Sequence, residues 1–499
     1  MIFTHQHLRG KTQVKGDVCI VGSGAGGSAA AAYLAAQGKK VIMLEGGSFL
    51  MPKDFVQKEE KMFPQLFFEA GGRRTSNRAI RILHGQGVGG STLHNINLCK
   101  RAPDILLDGW HLKDLNAQSL RPFYQQVEKD LMVEKIPEEL FNQNNLIFKR
   151  GVEALGLQGG GLMHNRQGCH QSGFCELGCS YNAKMNALRV YIPKVIENGG
   201  QVLANCRVQK LIWREQKVQG LLAQVRDAES QQVVGEVEVS ADKFILSAGA
   251  IETPALMLRS QLPDPYKQIG KRLHLHPGGA VCALFDEQVD FTQGIPQSYE
   301  CTEYLSFEPG QEDKRIWLVG GSAHPIGVAG LLPAFADEHR QLMQNFNHIA
   351  SITPMLHDTS CGEISIDSAG DVIIRYEMDQ SDRLQFKNGL KAAARILLAA
   401  GAKEAIIPAR QMLRFKNPQE VEKKSFELGD LDLDVVAVHP MSSVWMGEDD
   451  HSSCVSSHGK YHHLENLFVA DTSLYPTSLG VPPQISTYAI GAFVASHVY

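Results

Sequence analysis

The stretch 17–47, DVCIVGSGAGGSAAAAYLAAQGKKVIMLEGG, limits what this chain can fold into more than any other part of it. The run from Asp17 to Val21 is apolar and stops at glycine, as a buried parallel strand does. Gly22, Gly24 and Gly27 then make G-x-G-x-x-G. The first glycine permits a tight turn, the second lets backbone approach a pyrophosphate, and the third lets the following helix pack closely on the strand. That Ala-rich helix offers free N–H groups and the positive end of its dipole to phosphates. A second strand, KKVIMLE, ends in Glu45, where a carboxylate can accept both hydroxyls of an adenosine ribose. A glycine triplet alone would mark only a tight turn. With strand, helix and acid all in place, the unit reads as a dinucleotide site, open to NAD or FAD.

The rest of the composition removes several function classes. The chain has 499 residues, enough for two or three domains, and a net charge of −5 with no long block of one sign. No electrostatic footprint for nucleic acid or an anionic membrane follows from that balance. The N-terminus, MIFTHQHLRGKTQVKGD, lacks a signal-peptide core, so a cytoplasmic location is expected, with export through a partner subunit as the alternative. No run reaches the roughly 18 apolar residues of a spanning helix. PIGVAGLLPAF (325–335) is expected to be a buried or channel-lining loop, and AARILLAAGA (393–402) part of a core helix.

Three further stretches continue the dinucleotide theme. HGQGVGGSTLHNINLCKR (84–101) is dense in glycine before a Ser-Thr pair and Asn95. KFILSAGAIETPALMLRS (243–260) is a second strand–glycine–helix unit, and ENLFVADTSLYPTS (465–478) a third apolar strand ending in Asp471. Together with HPMSSVWMG (439–447) they resemble the ordered motifs of the glucose–methanol–choline (GMC) oxidoreductases, over a span from about residue 15 to the end. The pattern is most similar to bacterial FAD-dependent glucose or alcohol dehydrogenases with a cysteine-rich segment. The resemblance implies FAD, with Gly22, Gly24, Gly27 and Glu45 on its ADP half. It also implies Gly89, Gly90, Ser91 and Asn95 along the pyrophosphate and isoalloxazine, Ala250 near the dinucleotide, and Asp471 near the ribityl chain. The fold class it implies is α/β: a discontinuous Rossmann-like FAD-binding domain (1–275 and 431–499) and an α+β substrate domain (276–430) with an antiparallel sheet. Within the latter, GEISIDSAGDVIIRYEM (362–378) reads as a hairpin around Ser368-Ala369-Gly370, followed by a helix that stops at Gly401.

Alcohol oxidation by a flavin needs a base for the hydroxyl proton, and histidine titrates near working pH. In VVAVHPMSSVWMG an apolar strand delivers His439 to its end, where Pro440 prevents continuation, and the resemblance makes His439 the catalytic histidine. The family's partner position, His or Asn before the last helix, is Pro482 here, in GVPPQISTYAIG. Proline offers neither a side-chain donor nor an N–H, so Gln484 or Ser486 is expected to supply the substitute hydrogen bond. His274 and His276, in RLHLHPGG, would share one strand face as two metal ligands might, but lack a third ligand and are expected to be structural.

CHQSGFCELGC (169–179) concentrates three of the ten cysteines inside a segment taken as 164–186. A disulfide leaves one thiol over, zinc prefers four ligands at closer spacing, and unligated thiols are the plain reading. The fourth reading is a [3Fe–4S] cluster on Cys169, Cys175 and Cys179, the last two facing one way on a helical turn. The resemblance to cluster-bearing dehydrogenases favours it. The expected function is therefore FAD-dependent oxidation of an alcohol or sugar hydroxyl, with electrons relayed to a cytochrome or quinone. A small escort subunit is an expected partner. An O₂-using alcohol or sterol oxidase and a non-redox lyase are the alternatives.

Overall fold

Strand Gly10–Val21 lies at the centre of an eight-stranded sheet, in parallel register with Val41–Leu44 on one side and Val233–Leu246 on the other. The computed structural model describes residues 1–427, 429 and 431–499; Asp430, the last residue of the expected substrate domain, lies outside the described residues. Val18, Cys19 and Ile20 are fully buried, which is why this strand reads as a continuous apolar run rather than an alternating one. Strand Val233–Leu246 is long enough to use one edge twice. Its first half pairs antiparallel with Lys217–Arg226, and its last three residues pair in parallel with Leu467–Val469. That second pairing returns the C-terminal segment to the glycine turn.

The glycine turn gives way to helix Ala25–Ala36, which packs against the last helix, Gln484–Ala495. Their approach depends on missing side chains. A Cβ on Gly26 would meet the Ala470 carbonyl oxygen at 1.9 Å, and one on Gly491 would meet the Gly26 carbonyl oxygen at 2.3 Å.

The second sheet has ten strands and is mostly antiparallel, running through Glu404–Ile407, Val281–Leu284, Ile349–Leu356, Pro277–Gly278 and Val435–Ala437. It closes on a parallel pair, Val435–Ala437 with Ile80–Ile82. Ile80–Ile82 and Gly159–Gly161 join this sheet from inside the segment 1–275, so the dinucleotide half also furnishes strands to the substrate half. Helices Gln143–Ala154 and Gln380–Ala399 back the sheet. The expected hairpin is present as Gly362–Ile366 and Val372–Arg375, and the helix after it ends just before Gly401, whose φ is +96°.

Residues 325–335 differ from the expected loop: Pro325–Leu331 is a helix. Pro325 supplies the preset φ of a first helical residue. The Glu59 carboxylate accepts from the N–H groups of Ile326 at 2.8 Å and Gly327 at 2.9 Å, which would otherwise be orphaned at the helix start. Among the described residues no helix is long and apolar enough to cross a membrane.

Candidate active site

A cavity of about 1740 Å³ is lined from both sheets, from Gly22 and Glu45 at one end to His439 and Pro482 at the other. At the first end the walls are backbone. Gly22 has φ +101°, and a Cβ there would meet the Ser247 carbonyl oxygen at 2.2 Å. Gly27 is equally confined, 2.2 Å from the Gly22 carbonyl oxygen by the same measure, and lets helix lie on strand. Gly24 is the opposite case: a Cβ there meets nothing within 4 Å, because it would project into the cavity. Gly24 is also the N-cap of helix Ala25–Ala36, with no side chain capping it, so the first-turn N–H groups remain for a ligand. Gly90 is pressed onto this turn, its Cβ position 2.8 Å from the Gly24 Cα, and Gly89 takes a left-handed φ of +114°.

Polar groups frame the same end. Glu45 is buried; its carboxylate accepts from the N–H and hydroxyl of Ser23 (3.1 and 2.7 Å) and the N–H of Gly47 (2.9 Å). Asp471 accepts from the Gly249 N–H at 2.8 Å, the Thr253 hydroxyl at 2.6 Å and the Ser473 N–H at 2.8 Å, while burial raises its carboxyl above the ordinary value. Ser91 accepts from the Gly85 N–H at 3.0 Å, and the carbonyl of buried Ala250 accepts from the Ser443 hydroxyl at 2.7 Å. The open cradle at Gly24, the uncapped helix start and an acid at the strand end fit an ADP moiety, and the cavity continues past them with room for a flavin.

At the other end the walls are side chains from distant parts of the chain. Segments 274–278 and 435–441 run antiparallel, tied at one end by two backbone hydrogen bonds between His274 and Met441 (2.9 and 2.8 Å) and at the other by Pro277 opposite Ala437. His276 and His439 sit between these ties, with their Nδ1 atoms 3.0 Å apart. Burial, then the neighbouring His276, hold His439 well below the ordinary imidazole value. Burial pushes His276 down to about 4 against the opposing pull of Asp358. Both rings are therefore neutral at pH 7. The Nε2 of His439 has no partner among the described residues, and the ring lines the cavity.

His274 and His276, expected to be structural, part in the fold: His276 faces His439, and His274 does not. His276 has φ +50°, so the pair does not share a strand face. His274 turns to Asp358 (3.6 Å) and Cys361 (3.7 Å). Burial opposes its charge, but those two partners outweigh burial and lift it to about 9. Asp358 also accepts from the N–H groups of Leu275 (2.9 Å) and His276 (3.2 Å), which fixes the turn that carries His276. A signal was available in the sequence: His276-Pro277 and His439-Pro440 are matching His-Pro steps, each at a strand boundary.

Pro482 lines the cavity, and Pro483 caps the last helix. Gln484 follows at the cavity wall with both ends of its amide engaged. Its Oε1 accepts from Asn95, and its Nε2 donates to the Leu98 carbonyl at 3.3 Å and to Asn165 at 3.2 Å. Ser486 is buried away from the cavity, accepting from the Ala102 N–H at 3.0 Å and sharing a 2.8 Å bond with Tyr124. Gln484 thus braces Asn95, with its own amide spent on protein groups.

Cys169, Cys175 and Cys179 are free thiols around one small cavity of about 20 Å³. That volume is about one water molecule's, and does not fit three irons and four sulfides. The helical turn expected to align the last two is absent: a short 3₁₀ turn, Cys175–Leu177, stops at Gly178 with φ +85°. Burial pushes the Cys175 thiol up to about 11. The cavity as it stands gives the cluster expectation no support. What the segment does is pin a loop: buried Lys184 donates to the carbonyls of Leu93 (2.9 Å), Asn95 (2.5 Å) and Cys175 (2.8 Å).

Comparison with known proteins agrees with this architecture. The N-terminal family model described as GMC oxidoreductase matches residues 63–278, and its C-terminal counterpart matches 358–491. An uncharacterised GMC-type oxidoreductase of Sinorhizobium fredii is 29% identical over 98% of this chain and 95% of its own. A long-chain-alcohol oxidase of Arabidopsis thaliana is 28% identical over 97% of this chain and 69% of its own. Among solved structures, pyridoxine 4-oxidase from Mesorbium loti superposes with a TM-score of 0.72 at 20% identity, covering 96% of this chain and 98% of that one. The chain belongs to the GMC oxidoreductase family, whose members bind FAD.

Proposed function

We propose that the protein oxidises the CH–OH group of an alcohol, with His439 accepting the hydroxyl proton at Nε2. The observation that carries this reading is the 3.0 Å contact between His439 and His276, which occupies Nδ1 and leaves Nε2 to the cavity. For Nε2 to act as base, the ring proton must sit on Nδ1 and be donated to His276 Nδ1. A second buried imidazole is suited to that task, since its own low basicity keeps it an unprotonated acceptor. FAD, when bound, supplies the hydride acceptor. Gly22, Gly24, Gly27 and Glu45 would hold its ADP half, Gly89, Gly90, Ser91 and Asn95 the stretch toward the flavin ring, and Ala250 and Asp471 its flank.

The non-oxygen acceptor expected from the sequence rested on an iron–sulfur relay, and the small thiol cavity gives that relay no support. O₂ is the acceptor we favour, a reading supported by the oxidase name of the Arabidopsis relative. The test is to mix the protein anaerobically with a series of primary alcohols, then admit air. Bleaching of the flavin band near about 450 nm, with recovery and hydrogen peroxide on aeration, is the expected result. Bleaching that persists in air but is relieved by a quinone would return the acceptor to the dehydrogenase class. No bleaching with any alcohol would remove the reading.

A further inference from the structure

We infer that the cavity carries a second polar subsite, built on His324 and Glu176, that receives a neutral hydroxyl of the substrate remote from the carbinol; this rests on the alcohol-oxidising reading above. His324 is 2% exposed and lines the same cavity as His439, yet neither of its ring nitrogens has a hydrogen-bond partner. Its position is fixed from two sides. The ring stacks on Phe174, with centroids 4.6 Å apart and planes 8° from parallel. The chain after it is held by Glu59, whose carboxylate caps helix Pro325–Leu331 through the N–H groups of Ile326 and Gly327. A buried imidazole held this firmly, with two unused hydrogen-bonding atoms, is an unsatisfied group that a ligand would complete.

Glu176 lies two residues beyond Phe174, lines the cavity, and makes no hydrogen bond or ion pair among the described residues. Burial, with Arg81 opposing and Glu59 assisting, raises its carboxyl to about 7. Charge then decides the ligand class. Arg81 is paired with Asp434 at 2.9 Å, Glu59 is occupied by the helix start, and burial keeps His324 neutral at about 4. The other cation that acts on Glu176, Lys184, is spent on the carbonyls of Leu93, Asn95 and Cys175, so among the described residues beside Glu176 no cation is left free for an anionic group, and Arg81 disfavours an ammonium there. A hydroxyl can donate to the carboxylate and exchange a hydrogen bond with the imidazole. Leu98, Trp317 and Met355 add apolar wall to the same cavity, which suits a hydrocarbon spacer between two hydroxyls. The substrate class is thus diols and hydroxylated alcohols rather than simple alkanols.

The experiment compares α,ω-diols with 1-alkanols of matched chain length on the wild-type holoenzyme, reading kcat/KM and anaerobic flavin bleaching. At one chain length the diol should be favoured by about tenfold or more, the discrimination of a pocket that leaves polar groups unpaired by the wrong ligand. His324→Phe and Glu176→Gln should each pull the diol-to-alkanol ratio towards one, with flavin content as the check on folding. Alkanols equal to or better than diols in the wild type would overturn the subsite while leaving alcohol oxidation standing. An unchanged ratio in both variants with flavin retained would also overturn it. Failure of both alcohol classes to bleach the flavin would overturn the alcohol-oxidising reading itself.

Discussion

The dinucleotide end of the cavity is made of backbone, and the histidine end of side chains. At the first, closely spaced glycines do the work: Gly22, Gly24 and Gly27 lie within six residues. At the second, His276 and His439 come from positions 163 apart and meet because two antiparallel segments set them side by side. A substitution at the backbone end should act through space and folding. At the side-chain end it should act through proton transfer, with flavin still bound.

The largest effect is expected at the histidine end. His439→Ala should lower turnover by about 10²–10⁴-fold, the range for losing a general base, while the flavin spectrum stays intact. Activity within a few-fold of wild type would break the contrast, because the site would then not depend on that side chain.

His276→Leu comes next, and it separates a positioning role from a merely structural one. Loss of the group that orients His439 should reduce kcat by about 10- to 10²-fold, the scale for a misplaced catalytic group. The pH profile carries the sharper signal. In the wild type the base is deprotonated at pH 7, and burial together with His276 keeps its folded-state value well below the ordinary one. The kcat/KM should therefore fall only in acid. Removing His276 removes the like-charge contribution, so the acid limb should move to higher pH in the variant. His276→Asn, which keeps an amide near the ring, should recover part of kcat. An unmoved acid limb would leave His276 as packing alone.

The glycines sharpen the other half of the comparison, and two of them should respond oppositely. Gly26→Ala forces a Cβ to 1.9 Å from a backbone carbonyl that cannot easily retreat, and should cost about 1–3 kcal/mol of stability. Gly24→Ala meets nothing within 4 Å. It should leave the melting temperature of the apoprotein unchanged and weaken FAD binding by about 1 kcal/mol, through backbone held off the phosphates. Thermal melts of the apoproteins and flavin titrations separate the two. Equal losses of stability would mean that the open space at Gly24 is not a ligand cradle.

This contrast also explains what could be read from sequence. The glycine turn imposes its constraint within a few residues, so Gly22, Gly24, Gly27 and Glu45 announce the nucleotide end without any tertiary information. Helix Gln380–Ala399 and the 362–375 hairpin were legible for the same reason: the turn and cap residues sit next to the elements they end. The role of His276 was not legible, because it is set by the register between Pro277 and Ala437, which no local pattern encodes. The local shape of the cysteine segment was hidden for a related reason. Close spacing along the chain does bring Cys169, Cys175 and Cys179 around one cavity, but the left-handed Gly178 breaks the helical turn expected to align the last two. Helix Pro325–Leu331 carries no local capping signal, because the group that caps it, Glu59, comes from far along the chain.

The smallest expected effect lies where the two ends adjoin, at Pro482. This residue stands where the family's usual pattern puts a hydrogen-bonding side chain, and in the fold it lines the cavity just before helix Gln484–Ala495. Gln484 cannot stand in for it, since its amide is committed to Asn95, Leu98 and Asn165. On the proposed reading, His439 is then the main polar contact for the substrate hydroxyl at this end. Pro482→Asn adds one donor and one acceptor to the cavity wall without touching the glycine turn or the histidine pair. It should tighten alcohol binding by about 1 kcal/mol, roughly fivefold in KM, the net worth of one hydrogen bond. The acid limb of the pH profile should stay where it is, because His439 and His276 are unaltered. If KM is unchanged but flavin is lost, Pro482 belongs with the backbone end, as a rigid support for the helix that packs on Gly26. If KM falls with flavin retained, it belongs with the side-chain end, as the place where this chain dispenses with a second hydrogen bond.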